Sequence, residues 1–414
     1  MSLLDKASLI VTPNGYKASK LYSVVPSSGA GDLDVTRATT ATRVNSSRLI
    51  ESVANNVPRI DYKNGTCPSL LVEPQRTNVQ TYSEDFSNAI YLQIGTTVTT
   101  NAIVAPDGNT TADKIVEDTS TGFHTIDILN PPVGAGAYTI SVFVKAAERT
   151  KFQILGFFAL TGNVTFDLTA GTATTTAPAL NGKIENYGNG WFRCSATFTD
   201  LTGVGAQILL NILNNSGSNS YTGTAGSGLY LWGAQLELGS YSTSYVPTTT
   251  ASVTRNAEVI TKSGISSLIN SQEGVLFLNS AALENNTSAR FIELNDNTGG
   301  ISNNIYFRYE PFSNVIAYTV FSGGSLQANI SVSLSSQKDY NKMAFVWALN
   351  RFEIWVNGVK VVEDTSGVAP VTSSISKLMF SQRNGSENFE GNLKTLAIFK
   401  NALTNTELAQ LTTI

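Results

Sequence analysis

Tyr306, Tyr309, Phe312 and Tyr318 crowd one short segment, with Arg308 among them and Arg383 and Asn384 farther along the chain. An aromatic ring can lie against the apolar face of a pyranose while Arg, Asn or Asp side chains bond its hydroxyls. Tyr306, Arg308, Tyr309, Tyr318, Arg383 and Asn384 are therefore candidate glycan contacts. Alternating aromatics in a β-sandwich equally make a core, and the tyrosine group fits either role. The four tryptophans, Trp191, Trp232, Trp347 and Trp355, read as core.

The acids offer less. Glycoside hydrolysis needs two carboxylates roughly 5 to 10 Å apart across the scissile bond. Glu293-Leu294-Asn295-Asp296 gives only an E-x-x-D spacing, and Glu387 stands apart. A hard cation wants six to eight oxygens, and the loop word Asn295-Asp296-Asn297 supplies three such side chains for calcium. Asn384, Ser386 and Glu387 form another loop of that kind. Asn and Asp also simply favour turns, so both readings stand. No other cofactor is expected.

The single histidine, His124, sits in Gly122-Phe123-His124-Thr125 with no G-x-S-x-G elbow anywhere, so a serine triad is not expected. One histidine also excludes zinc sites built from several His ligands. Cys67 and Cys194 show no CxxC spacing and read as two free thiols.

Composition narrows the class. Asp, Glu, Lys and Arg make up 14% of the 414 residues, against about 25% in ordinary soluble domains. Ser, Thr, Asn and Gly fill the gap, so the surface is hydrated by neutral groups. With 27 basic and 31 acidic residues and no long block of either sign, no phosphate-tracking groove is foreseen and nucleic-acid binding is disfavoured. The aromatic share of 9% argues for a folded chain. No stretch reaches the 18 or more apolar residues of a membrane span. Met1 is not followed by the basic and apolar regions of a signal peptide, so synthesis as an intracellular chain is expected.

The elements that must position these residues are short strands. Residues 1–79 hold brief apolar pieces between Gly, Pro, Asn and Ser punctuation, and read as an extended arm rather than a free domain. Over 80–252 alternating runs such as Tyr138 to Val144, and Tyr230, Trp232, Ala234, Leu236 and Leu238 on one face, predict an antiparallel sandwich. Residues 253–272 look like a connector. Strands resume over 273–414. There Phe352, Ile354 and Val356 run into Asn357-Gly358, a strong hairpin signal because both positions need φ > 0. Thr404-Asn405-Thr406-Glu407 is a capping box opening a short helix through about Leu411. The words Val35-Thr36-Arg37 and Val253-Thr254-Arg255 echo each other.

Two stretches resemble a known family. Leu33-Asp34-Val35-Thr36-Arg37-Ala38, Ala41-Thr42-Arg43-Val44-Asn45, Asn56-Val57-Pro58-Arg59-Ile60-Asp61-Tyr62 and Cys67 through Asn78 occur in the order seen in phage virion fibre and spike proteins. These are of the head-fibre or tail-fibre type, as in crAss-like and other Bacteroidetes phages. Trp232-Gly233-Ala234-Gln235-Leu236-Glu237 through Ala257 is similar to the exit of their carbohydrate-binding-module-like jelly roll. Residues 273–414 look like a laminin-G or concanavalin-type jelly roll.

The resemblance implies an all-β chain: an extended N-terminal arm, two antiparallel jelly-roll β-sandwiches and a short C-terminal helix. It implies a structural protein at the virion surface, a homotrimer joined to capsid or tail proteins and directed at surface glycans. Arg37, Arg43, Arg59 and Arg76 of the N-terminal words are then the candidate attachment residues. No enzymatic activity is expected. The competing readings are a polysaccharide depolymerase and an inert spacer.

Overall fold

A computed structural model describes residues 3–63, 65–129, 131, 135–157, 162–199, 206–285 and 288–413. Strands dominate, and the one α-helix among the described residues is Asn405–Thr412. Thr404 caps it in the reciprocal arrangement read from the sequence, its side chain accepting from the Glu407 N–H. No helix among the described residues is long and apolar enough to cross a membrane. The all-β sandwich class is therefore as expected.

The chain forms two compact units, each built from separate stretches. One comprises Met1–Thr40, Val53–Pro74 and Asn256–Ile414; the other comprises Ala41–Ser52 and Gln75–Arg255. The second unit packs two six-stranded antiparallel sheets. One sheet runs through Ala112–Glu117, Gly228–Leu238, Ala137–Ala146 and Trp191–Thr199, and the other through Lys151–Phe157, Gln207–Leu213 and Thr125–Leu129. Neighbouring strands are far apart in sequence, which is the jelly-roll pattern of crossovers. Ile115, Ile140, Phe152, Ile154, Leu210 and Leu236 meet between the sheets.

The first unit contains one long path of hydrogen-bonded strands. Its core brings Ile292, Leu294, Phe307 and Val320 against Leu276, Phe345, Trp347 and Ile398. Asn357 and Gly358, at φ 47° and 89°, turn strand Arg351–Val356 into Val359–Asp364.

The N-terminal segment is where structure and expectation part. Ala7–Lys17 pairs antiparallel with Gly391–Phe399, aligning Ile10 with Ala397. Lys20–Val25 pairs with Ala7–Lys17, and Leu33–Thr36 pairs with Val259–Ser263 from the expected connector. These apolar pieces are too short to make a core alone. They bury Leu9, Val11, Leu21, Leu33 and Val35 by completing the sheet of the C-terminal segment. Strands Ala7–Lys17, Lys20–Val25, Leu33–Thr36 and Ser69–Val72 of the expected arm, and Val259–Ser263 of the expected connector, thus belong to the long sheet of the first unit.

The echoed words have one structural meaning. Each ends a short strand and is followed or closed by a fully buried arginine, Arg37 or Arg255. A buried guanidinium needs acceptors, and Arg37 reaches the backbone oxygens of Thr39, Val53, Ala54 and Val57 as well as Glu258.

Candidate functional site

Strands Arg290–Asn295, Asn304–Tyr309, Val315–Ser322, Ser325–Ser333 and Lys377–Met379 form one end of the first unit's sheet. Side chains alternate across a strand, so each strand presents one set to the core and one away from it. Ile292, Leu294, Ile305, Phe307 and Leu378 take the core side. The register then aligns the other set. Met379, Glu293, Tyr306, Thr319 and Asn329 form one cross-strand row; Lys377, Asn295, Asn304 and Phe321 form the next; Phe291, Arg308 and Ala317 form a third.

Glu293 is the centre of this face and is fully buried. Its Oε2 accepts from the Arg383 backbone N–H at 3.1 Å. Its Oε1 lies 3.3 Å from Asn304 Nδ2 and 3.4 Å from Asn295 Nδ2. Burial pushes the carboxyl above the usual carboxylate range, and the Arg383 charge and these hydrogen bonds oppose that shift. Asn304 is itself buried, and its Oδ1 has no hydrogen-bond partner.

Arg308 projects from the third row. Its guanidinium lies 5.7 Å from the Phe291 ring centre and 6.0 Å from that of Tyr306, within cation–π range. Glu310 pairs with it, Arg308 Nε donating at 2.8 Å. The Arg383 side chain is half-buried and makes no ion pair among the described residues. Its charge favours the ionised form of Glu293.

The sequence-predicted residues divide. Tyr306, Arg308 and Arg383 belong to this face. Tyr309 and Tyr318 do not: both are fully buried on the core side, Tyr309 with its hydroxyl 3.0 Å from Ser280 Oγ and Tyr318 donating to the Val346 carbonyl at 2.9 Å. Tyr306 and Tyr309 are an odd number of positions apart on one strand, so they must face opposite ways. Asn384 lies in an exposed turn, where its Oδ1 accepts from the Ser386 N–H. Glu293 and Asn304 were missed as contacts; the alternation of Ile292 and Leu294 around Glu293 is the signal that could have placed it.

The Asn295-Asp296-Asn297 word forms a turn. Asn295 Oδ1 accepts from the Asn297 N–H, Asp296 Oδ1 from the Thr298 N–H and Asp296 Oδ2 from the Asn303 N–H, and Asn297 takes φ 63°. No group of three or more His, Cys, Asp or Glu residues suited to a metal occurs among the described residues.

The attachment arginines are equally divided. Arg37 and Arg59 are fully buried, so neither can meet an outside partner. Arg59 donates to Glu258 Oε1 at 2.7 Å and to Glu73 Oε2 at 2.6 Å, and Arg37 shares Glu258 at 3.1 Å. In the second unit Arg76 lies 3.6 Å from Glu237 and over the Tyr241 ring. Arg43 donates to Glu51 at 2.7 Å. Glu51 borders a cleft of about 310 Å³ together with Glu84, Asp107, Trp232 and Tyr245. Each acid there already has donors in the chain: Asn45 and Arg43 on Glu51, the Tyr245 hydroxyl on Glu84, and Asn109 on Asp107. His124 is buried, its ring nitrogens 2.7 Å from the Gly95 carbonyl and 3.2 Å from that of Tyr221. Cys67 and Cys194 are free thiols. All four tryptophans are core.

Residues 276–409, which carry the Glu293 face, match the family model described as the concanavalin A-like lectin/glucanases superfamily. No curated protein sequence matches the chain. Among solved structures, the chain is similar to the CBM40 of Ruminococcus gnavus IT-sialidase bound to α2,3-sialyllactose, at 12% identity over 34% of this chain and 83% of that one, with a TM-score of 0.31. It is similar to the NanB sialidase of Streptococcus pneumoniae at 20% identity, covering 36% of this chain and 26% of that one, TM-score 0.31. Domain 4 of AbnA, a GH43 arabinanase of Geobacillus stearothermophilus in complex with arabinotriose, gives 12% identity over 42% and 83%, again with a TM-score of 0.31.

Proposed function

We propose that this chain is a glycan-binding structural protein of a phage particle, a head-fibre or tail-fibre type protein that displays the Glu293 face toward surface polysaccharide. The observation that carries the glycan reading is a sheet face bearing the part-exposed Arg308 and Arg383 beside Tyr306, over the buried Glu293 that orders it, within a segment matched by a lectin and glucanase family model. Sugar hydroxyls both donate and accept, and this face offers acceptors and cationic donors side by side. The virion placement and a trimeric assembly rest on the N-terminal words of the sequence.

A binding role is favoured over hydrolysis for a physical reason. Of the residues aligned on this face only Glu293 is a carboxylate, and the usual hydrolytic mechanisms need a pair.

The test is binding of the full chain to polysaccharides from candidate host surfaces, by affinity electrophoresis and calorimetry. Saturable binding weakened about tenfold by Arg383→Ala, or about 1.4 kcal/mol, supports the reading. Binding unchanged by Arg383→Ala and Glu293→Gln, or no binding at all, overturns it.

A further inference from the structure

The long sheet of the first unit ends in two strands, Ser325–Ser333 and Val359–Asp364, each paired along one side only among the described residues. A strand at the edge of a sheet presents a row of N–H and C=O groups without ladder partners. Folded chains guard such edges with charge, proline, bulges or cover. The two ends differ in this respect. Val359–Asp364 carries Lys360, Glu363 and Asp364 within six residues. Ser325–Ser333 carries no charged residue and no proline.

The guards of Ser325–Ser333 lie at its start. A register shift falls at Gln327, and the Val368 N–H, from the segment after the other edge strand, donates to Gln327 Oε1 at 3.1 Å. From Ala328 to Ser333 the register with Val315 to Val320 is unbroken. No backbone hydrogen bond from another element reaches these positions among the described residues. Alternation gives the stretch two sides. Asn329, Ser331 and Ser333 are exposed and continue the face that bears Glu293. Ile330 and Val332 take the core side, where they are only partly covered.

What completes this edge must pair through its backbone, bring apolar side chains to Ile330 and Val332, and set no charge against an uncharged stretch. A second copy of the same strand meets all three conditions. Antiparallel two-fold pairing about Ile330 sets Asn329 opposite Ser331 and Ala328 opposite Val332 of the second copy. Pairing about Ser331 sets Ile330 opposite Val332. In either register polar meets polar and apolar meets apolar, because two-fold pairing opposes positions of equal parity. We propose that two copies of this chain pair edge to edge through Ala328–Ser333, joining their sheets in an isologous contact that closes at two. The pairing does not depend on sugar binding. On the glycan reading above it has a consequence: two Glu293 faces stand in one continuous sheet, on the order of 30 Å apart at about 4.8 Å per strand.

The test is sedimentation equilibrium of the full chain over a range of concentrations, with no sugar present. The wild-type mass should rise from that of one chain toward that of two. Ser331→Lys sets like charges at the contact and should weaken association tenfold or more. Its melting temperature should match that of the wild-type monomer, because Ser331 is exposed. Ser331→Glu should weaken association equally, and an equimolar mixture of the two variants should recover it. A mass that stays at one chain or at three at every concentration overturns the proposal. So does association that Ser331→Lys leaves intact, or that the mixture fails to recover. Because no glycan enters the measurement, its failure leaves the glycan reading standing, and a failure of glycan binding leaves the masses unchanged.

Discussion

The Arg383 backbone N–H donates to Glu293 Oε2 at 3.1 Å, tying the loop after one short strand to the centre of its neighbour. The same residue's guanidinium charge opposes the rise in the Glu293 pKa that burial causes. One loop residue thus controls both the position and the ionisation of the buried acid.

That coupling gives a pH prediction with a definite sign. If glycan binding uses the ionised Glu293, it weakens as pH falls through the folded-state pKa. Removing the Arg383 cation takes away a stabiliser of the carboxylate and raises that pKa further. Arg383→Ala should therefore move the midpoint of binding to higher pH, beyond weakening it, and Glu293→Gln should flatten the profile. Calorimetric titrations between pH 4 and 8 read both effects. A midpoint that moves to lower pH in Arg383→Ala contradicts the arrangement.

Tyr318 is expected to matter for stability and not for binding. Its hydroxyl donates to the buried Val346 carbonyl at 2.9 Å on the core side of the sheet. Tyr318→Phe strands that carbonyl and should cost about 1 kcal/mol in denaturant unfolding, with glycan affinity unchanged. A loss of affinity without a loss of stability would return Tyr318 to the ligand.

Much of the fold was legible in the sequence, and the reason it was not more so is specific. Asn357-Gly358 and the Thr404–Glu407 box announce themselves because their chemistry is local. The pairing of Ile10 with Ala397 is not local, and no short-range pattern could reveal that Ala7–Lys17 completes a sheet at the other end of the chain. Within the site, strand parity was available: it separates Tyr306 from Tyr309. Which parity faces the core depends on Phe345 and Trp347 across the sandwich, and only the folded chain supplies those. The buried arginines Arg37 and Arg59 looked like surface residues because their counter-charge, Glu258, lies about 200 residues away.

Those arginines carry the next prediction. Glu258 accepts from Arg59 through both Nε at 2.7 Å and Nη2 at 2.8 Å, from Arg37 at 3.1 Å and from the Glu73 N–H at 2.9 Å. Replacing it by Gln keeps the shape and removes the charge that both buried guanidinium groups share. Breaking a buried ion network from one side costs about 3–5 kcal/mol. Glu258→Gln should lower the unfolding midpoint of the first unit by that measure, and a change under about 1 kcal/mol would mean the network is balanced by other acceptors.

Asp127 should behave in the opposite sense. Burial raises its pKa from the usual value near 4 to about 6, with the Thr125 hydroxyl only partly compensating. The folded state then holds its proton more tightly than the unfolded chain does. Between pH 4 and 6 the folded chain binds more protons, so stability falls as pH rises through that window and stays reduced above it. The penalty at pH 7 is on the order of 2 kcal/mol once partial solvation is allowed for. Asp127→Asn cannot ionise and escapes it. The variant should therefore unfold at higher denaturant than wild type at pH 7, and the difference should close by pH 4. Equal stability of the two at both pH values would mean that Asp127 meets a further donor, beyond the Thr125 hydroxyl, in the free protein.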